Sequence, residues 1–189
     1  AGEPVSMHCA KALNSMLEPG DIVYIMTGFI LRPHRQPETD GIVGAILLAR
    51  ALVEAYDVKP VIVCPEENVV AIKNCSPLIG MHLYEDISTL LEMPQSFGVY
   101  PFTKKMEEVE ENIHRLFSYG LPKVLISTEA PGANKKGEYH NAVGINMTEL
   151  EAKMDGLFDA VKNLGIKTFA VGDLGNEIGM GAIGEHIRK

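Results

Sequence analysis

The stretch Gly172 to Gly181, GDLGNEIGMG, follows directly on the apolar run Thr168 to Val171 and sets Asp173, Asn176 and Glu177 among four glycines. An apolar run that breaks into a polar, glycine-rich turn reads as a buried strand ending in a tight loop. Two further segments repeat the pattern: TGFILRPHRQPETDG, residues 27 to 41, after Ile22 to Met26, and STEAPG, residues 127 to 132, after Val124 to Ile126. In an open parallel sheet such strand ends lie side by side, and ligands bind in the crevice outside them.

Working outward, each strand is joined to the next by a helical pattern. Ser6 is placed to cap a helix carrying Met7, Ala10, Leu13 and Leu17, and Gly20 to end it. Thr39 or Asp40 caps an apolar helix with Val43, Ile46, Leu47, Leu52 and Val53, after which Val61 to Cys64 is a short continuous apolar strand. Residues 68 to 102 alternate short apolar pieces with Pro77, Gly80, Pro94, Gly98 and Pro101 and read as mixed strand and loop. From Thr103 an amphipathic helix puts Met106, Val109, Ile113, Leu116 and Phe117 inward and an acidic run outward. Thr148 and Glu151 match a capping box ahead of a helix bearing Met154, Leu157, Phe158, Val161 and Leu164. The loop after the last strand, Ile166 to Val171, is expected to turn into a helix near Asn176. Strand and helix alternate without internal repeat, which predicts one α/β domain, a doubly wound, mostly parallel sheet with helices on both faces.

Composition narrows the function. A chain of 189 residues with 46% apolar content is large enough for a buried core, and a net charge of −8 offers no basic face to nucleic acid. No apolar stretch approaches the roughly 20 residues that cross a bilayer, so no membrane partner and a soluble interior protein are expected. Cys9, Cys64 and Cys75 form no CxxC pair and read as reduced thiols. There is no GxSxG, GxxxxGK[ST] or HExxH motif. Gly179, Gly181 and Gly184 match GxGxxG in spacing but follow the last strand's loop too late for a dinucleotide fold, so no nucleotide cofactor is expected.

Glu38, Asp40, Glu129, Asp173 and Glu177 stand in the three loops. Gathered in one cleft they would repel one another unless a cation neutralised them, and hard oxygen ligands suit Mn²⁺ or Mg²⁺ before Ca²⁺. Dispersed, Asp40 serves as a helix cap and Glu177 as a partner of a helix dipole. Asn176 and the amides around Gly175 are suited to an anionic group. Arg32, His34 and Arg35 are candidates for a substrate carboxylate or phosphate, as is His140 for an acid or base; all four serve equally as loop solvation.

TGF at 27 to 29, ETDG at 38 to 41 followed by GAILLARAL, TEAPG at 128 to 132, KGEYHNAVG at 136 to 144, and GDLGNEIGMG together resemble the D-glutamate cyclase family. The likeness runs from about Gly20 to Gly181. It implies a lyase that converts D-glutamate to 5-oxo-D-proline with loss of water, in the cytoplasm for a microbial member and the mitochondrial matrix for a eukaryotic one. The family pattern has an arginine where Ala130 stands and a glycine where Leu174 stands, and its domain continues past the last motif, so residues 1 to 189 are expected to form one domain truncated at its C-terminus. Glu129, Glu177 and Asp173 are then the expected catalytic groups. Thr27, Gly28, Arg32, Asn141, Gly175 and Asn176 are the expected contacts of a small acidic metabolite; a homo-oligomer is left open. A metal-dependent phosphatase using the same carboxylates and a non-catalytic metabolite-binding domain are the rival readings.

Overall fold

The computed structural model describes residues 2–187. Helix α1 (Val5–Met16) leads into β1 (Ile22–Met26), a two-residue hairpin β2 (Ile30–Leu31) and β3 (Gln36–Pro37), helix α2 (Thr39–Tyr56) and β4 (Lys59–Cys64). Helix α3 (Glu66–Cys75), β5 (His82–Tyr84), α4 (Ile87–Glu92) and β6 (Ser96–Pro101) come next. They are followed by α5 (Val109–Phe117), β7 (Val124–Thr128), α6 (Asp155–Asn163), β8 (Lys167–Val171) and a final short α7 (Gly184–Ile187).

Six strands form one sheet in the order β5-β6-β4-β1-β7-β8, and every pairing in it is parallel. The doubly wound α/β expectation is therefore met. Alternation along β1 explains the two layers: Val23 and Ile25 pack with α1, α2 and α3, whereas Tyr24 and Met26 pack with α4, α5 and α6. Tyr24 also donates its hydroxyl to the carbonyls of Gly120 (2.8 Å) and Leu116 (3.2 Å), satisfying the carboxyl end of α5. From β1 the chain winds through β4 to the far edge, then returns to β7 and β8 on the other side. The gap between the ends of β1 and β7 is thus the topological switch point.

Local expectations fare unevenly. Residues 68 to 102 hold two strands and most of two helices, hidden from sequence because the elements are short and punctuated by proline and glycine. Helix α1 starts after Pro4 with no side-chain cap, so Ser6 is not its cap. Helix α2 has Glu38 at its N-cap position, also without a side-chain cap bond, and Asp40 sits in its first turn accepting the Gly41 amide at 2.7 Å. The helix expected from Thr103 opens as a 3-10 turn at Met106–Glu108, and Met106 is exposed. Thr148 and Glu151 make no capping box, because α6 begins only at Asp155 and Glu151 is buried elsewhere. Leu164, expected inward, is exposed. No helix starts at Asn176; that segment is a loop bridged to residue 131, with a 3-10 turn at Met180–Ile183 beyond it. The missing capping box and the missing helix at Asn176 share a cause: Thr148 accepts the Tyr139 amide, Glu151 the Ile30 amide, and Asn176 donates to the His140 carbonyl, so these side chains serve contacts other than helix ends.

Among the described residues, no helix is long and apolar enough to cross a membrane.

Gly98 in β6 marks where α4 lies closest to the sheet, since a Cβ there would fall 2.8 Å from Leu90 Cδ2 and 2.9 Å from Ile87 Cδ1. Both side chains are buried and have no room to withdraw. Gly98→Ala is expected to cost about 1–3 kcal/mol of stability, read from urea unfolding; an unchanged midpoint would show that α4 yields freely.

Candidate active site at the switch point

The carboxyl ends of β4, β1, β7 and β8 are stitched together by backbone bonds. Thr27 N–H donates to Val63 O (3.1 Å), Gly28 N–H to Glu129 O (3.0 Å) and Glu129 N–H to Val171 O (3.2 Å). These bonds continue the sheet one residue past each strand, so side chains at 27 to 29 and 129 emerge at a fixed height. Glu129 itself adopts φ +47°, a left-handed conformation that costs a non-glycine residue about 1–3 kcal/mol. Helix α2 presses its first turn against this corner. A Cβ on Gly41 would lie 2.7 Å from Thr27 Oγ1 and 2.8 Å from Glu129 Cβ, so only glycine allows the approach.

The GDLGNE loop is organised by Glu177. Its backbone runs antiparallel to Pro131, with Gly132 N–H donating to Asn176 O (2.8 Å) and Ile178 N–H to Ala130 O (2.9 Å). Its carboxylate turns back into its own loop and accepts the amides of Asp173 (2.9 Å), Leu174 (3.0 Å) and Gly175 (2.8 Å). Gly172 makes room for it, since a Cβ there would fall 2.6 Å from Glu177 Cδ. Burial alone would raise the carboxyl's pKa, but these amide bonds prevail and hold it below the ordinary value, so Glu177 is a fixed anion.

The amides expected to bind an anionic ligand are therefore already occupied by an internal carboxylate. Gly175, expected at the substrate, spends its N–H on Glu177 and faces a neighbouring cavity with Lys135, Lys136 and His140. Thr27 is fully buried beneath the site, and Gly28 is covered by Asn68 and Pro65. Neither lines the cavity between the loops. A cleft of about 280 Å³ lies there, open to solvent on one side, and Glu38, Asp40, Glu129, Asp173, Glu177, Arg32, Asn141 and Asn176 all border it. Sequence reading thus brings all five acidic candidates to one place. His34 does not border this cavity, and Arg35 lines a separate groove with Glu66 and Lys104.

The five carboxylates are not equivalent. Glu129, Asp173 and Glu177 each bring an oxygen within 4.8 Å of the others, while Glu38 and Asp40 stand outside that group. Glu129 is pushed up to about 7, by partial burial first and then by the negative charges of Glu177, Asp173, Asp40 and Glu38. Glu38 is raised by desolvation and then by the charges of Asp40, Asp173 and Glu177, and Asp173 by desolvation, then by its hydrogen bond with Glu177 and the charges of Glu177 and Asp40. Among the amides, Asn176 Nδ2 donates to His140 O (2.9 Å), which orients that side chain. Asn141 Oδ1 is spent on the amides of Val143 (3.2 Å) and Ile145 (2.9 Å), leaving its nitrogen free for a guest.

The remaining wall is apolar, built by Phe29, Ile30, Leu31, Val143, Ile145 and Met147. Sequence reading missed it because these residues lie in loops and in the two-residue strand β2, too short for any periodicity to mark a buried face.

Glu129 makes stability depend on pH. Between about 4.5 and 7 the folded protein keeps a proton that the unfolded chain has released, so stability falls as pH rises through that window. Glu129→Gln removes this loss, and the variant's Tm relative to the parent is expected to climb between pH 5 and pH 8; a constant difference would place Glu129 in ordinary solvent.

Comparison with known proteins identifies the family. A family model described as D-glutamate cyclase-like, C-terminal, matches residues 5–189. The chain is also 30% identical over 175 residues to D-glutamate cyclase, mitochondrial, of Homo sapiens, covering 88% of this chain and 27% of that protein. It spans about a quarter of the length of that relative. With the match running through all three loops that border the cavity, the chain belongs to the D-glutamate cyclase-like C-terminal family.

Proposed function

We propose that the cavity binds D-glutamate and closes it to 5-oxo-D-proline, as the name of the human relative suggests. The observation that carries this reading is the meeting of Glu129, Asp173 and Arg32 around one small cavity at the switch point. At about 280 Å³ it is near the lower end of ligand-pocket sizes, which suits a small metabolite.

Each group then has work its position allows. Arg32 meets a carboxylate of the substrate, a role for which a planar guanidinium is suited. Asp173 and Glu177 supply negative charge that draws in the α-ammonium. Glu129, poised near neutrality, takes a proton from that ammonium, and the free amine attacks the substrate's own γ-carboxyl carbon. The nitrogen loses two protons in all as the C–N bond forms, and both leave on the departing oxygen as water. Glu129 can return its proton to that oxygen, so no outside co-reactant is needed. Held in one cavity, amine and carboxyl gain the rate advantage of an intramolecular reaction.

Three carboxylate oxygens within 4.8 Å, together with the raised Glu129, are a donor set that fits a hard divalent cation. Glu129, Asp173 and Glu177 would hold Mn²⁺ or Mg²⁺, with Glu177 contributing only the lone pair its three amide bonds leave. Such an ion would supply Lewis-acid polarisation of a carboxyl group.

The test is incubation with D-glutamate, and separately L-glutamate, with and without Mn²⁺, following 5-oxoproline by NMR. Product from D-glutamate is expected, with kcat/KM rising through about pH 7 as Glu129 ionises. Glu129→Gln is expected to lower kcat by at least about 100-fold. Release of phosphate from a generic ester in a parallel arm, with no 5-oxoproline, would overturn the cyclase reading in favour of a hydrolase. Binding of D-glutamate without turnover would favour a sensor.

If the carboxylates do hold a cation, Mn²⁺ is expected to raise Tm at pH 8, where Glu129 is ionised, and to have little effect at pH 5, where it is protonated. Equal Tm with and without Mn²⁺ at both pH values would dismiss the cation.

A further inference from the structure

We infer that Glu151, backed by Asn68, is a positioning residue that holds segment 28 to 32 in the shape that brings Arg32 to the cavity. This rests on the proposed use of that cavity. Both residues are fully buried, and neither enters the chemistry described above.

Glu151 Oε1 accepts the Ile30 amide at 3.1 Å, across 121 residues of sequence. Its other oxygen is buried with no partner. Asn68 packs against the same segment from α3, with Nδ2 only 2.4 Å from where a Cβ on Gly28 would stand, and both its amide atoms are unpartnered. A buried carboxyl and a buried amide with unspent hydrogen-bonding capacity are costly. Apolar side chains of similar volume would fill these places at less expense. What leucine cannot do at position 151 is accept the Ile30 N–H.

The charges around Glu151 sharpen this reading. Lys104, Lys153 and Glu67 face it. Lys104 is paired with Glu67, and Lys153 donates to the carbonyls of Thr148 and Glu151. Among the described residues no cation forms a direct ion pair with the Glu151 carboxylate, so its specific contact is the Ile30 amide. Ile30 in turn forms a separate buried cluster with Met147 and Leu150. Segment 28 to 32 and segment 147 to 151 are thereby fastened into one unit, and both contribute to the cavity through Phe29, Ile30, Leu31, Arg32 and Met147. Removing the carbonyl-like acceptor at 151 frees the segment that carries Arg32 without touching any group that meets the substrate.

The experiment compares Glu151→Leu, Glu151→Gln and Asn68→Leu with the parent protein, using amide hydrogen exchange at residues 28 to 32 and steady-state kinetics on D-glutamate. In Glu151→Leu, exchange at Ile30 is expected to quicken about 10-fold and KM to rise by a similar factor, with kcat little changed. Glu151→Gln keeps an oxygen for the Ile30 N–H and is expected to restore both. Asn68→Leu keeps the packing against Gly28 and removes no hydrogen bond, so it is expected to raise Tm and leave KM unchanged. Parental exchange and KM in Glu151→Leu would overturn the inference, as would a Gln variant that behaves like the Leu variant. Should Glu151→Leu fail to fold, rapid Ile30 exchange in the folded Gln variant overturns it and parental exchange supports it. If the parent makes no 5-oxoproline, the cyclase reading fails on that ground, while the exchange comparison still decides the role of Glu151.

Discussion

The end of the sheet where a ligand would sit is organised around one buried anion. Glu177 accepts three consecutive amides of its own loop and fills the space that Gly172 leaves open. Its backbone is at the same time paired with residue 131 beyond β7. One residue thus fixes the shape of the loop after β8 and ties it to the loop after β7. The carboxylate is desolvated, but its amide partners are already aligned, so the anion persists where an isolated one would take up a proton.

That fixed charge has an effect across the cavity. Glu129, already raised by partial burial, is pushed further by the nearby charge of Glu177. The two residues look alike in sequence yet have opposite environments, one supplied with donors and one deprived of them. Separation of carboxylates into a permanent anion and a titrating acid is what proton-transfer chemistry needs. The left-handed backbone at Glu129 belongs with this, since strain of that kind persists where surrounding bonds over-determine the local shape.

Much of this was legible in the sequence. Strands β1, β4 and β7 declare themselves as continuous apolar runs because both their faces are covered, whereas β8, at the sheet's edge, is only half-buried. Their trailing motifs placed the acidic residues on one rim, where the structure finds them. The direction of each side chain was not legible. Thr27 and Gly28 lie in a motif that suggests contact with a guest, yet the sheet extends one residue further than the apolar run and buries them. Gly175 and its neighbours look like free donors until Glu177, two to four residues later, folds back on them. Glu151 has the spacing of a helix cap, and only the fold shows that its partner is Ile30. Local pattern reports which face is apolar, while hydrogen-bond partners distant in sequence are decided by tertiary assembly.

The pocket draws its walls from residues 29 to 40, 129, 141 to 147 and 173 to 177, segments that sequence separates by up to about 150 residues. Such non-local closure is slow relative to helix formation, and residues 129 to 177 bring all three clustered carboxylates while Arg32 arrives from the far side of the sequence. The cluster of Glu129, Asp173 and Glu177 straddles the β7–β8 pair, so it exists only in a chain whose last strand has docked at the sheet's edge.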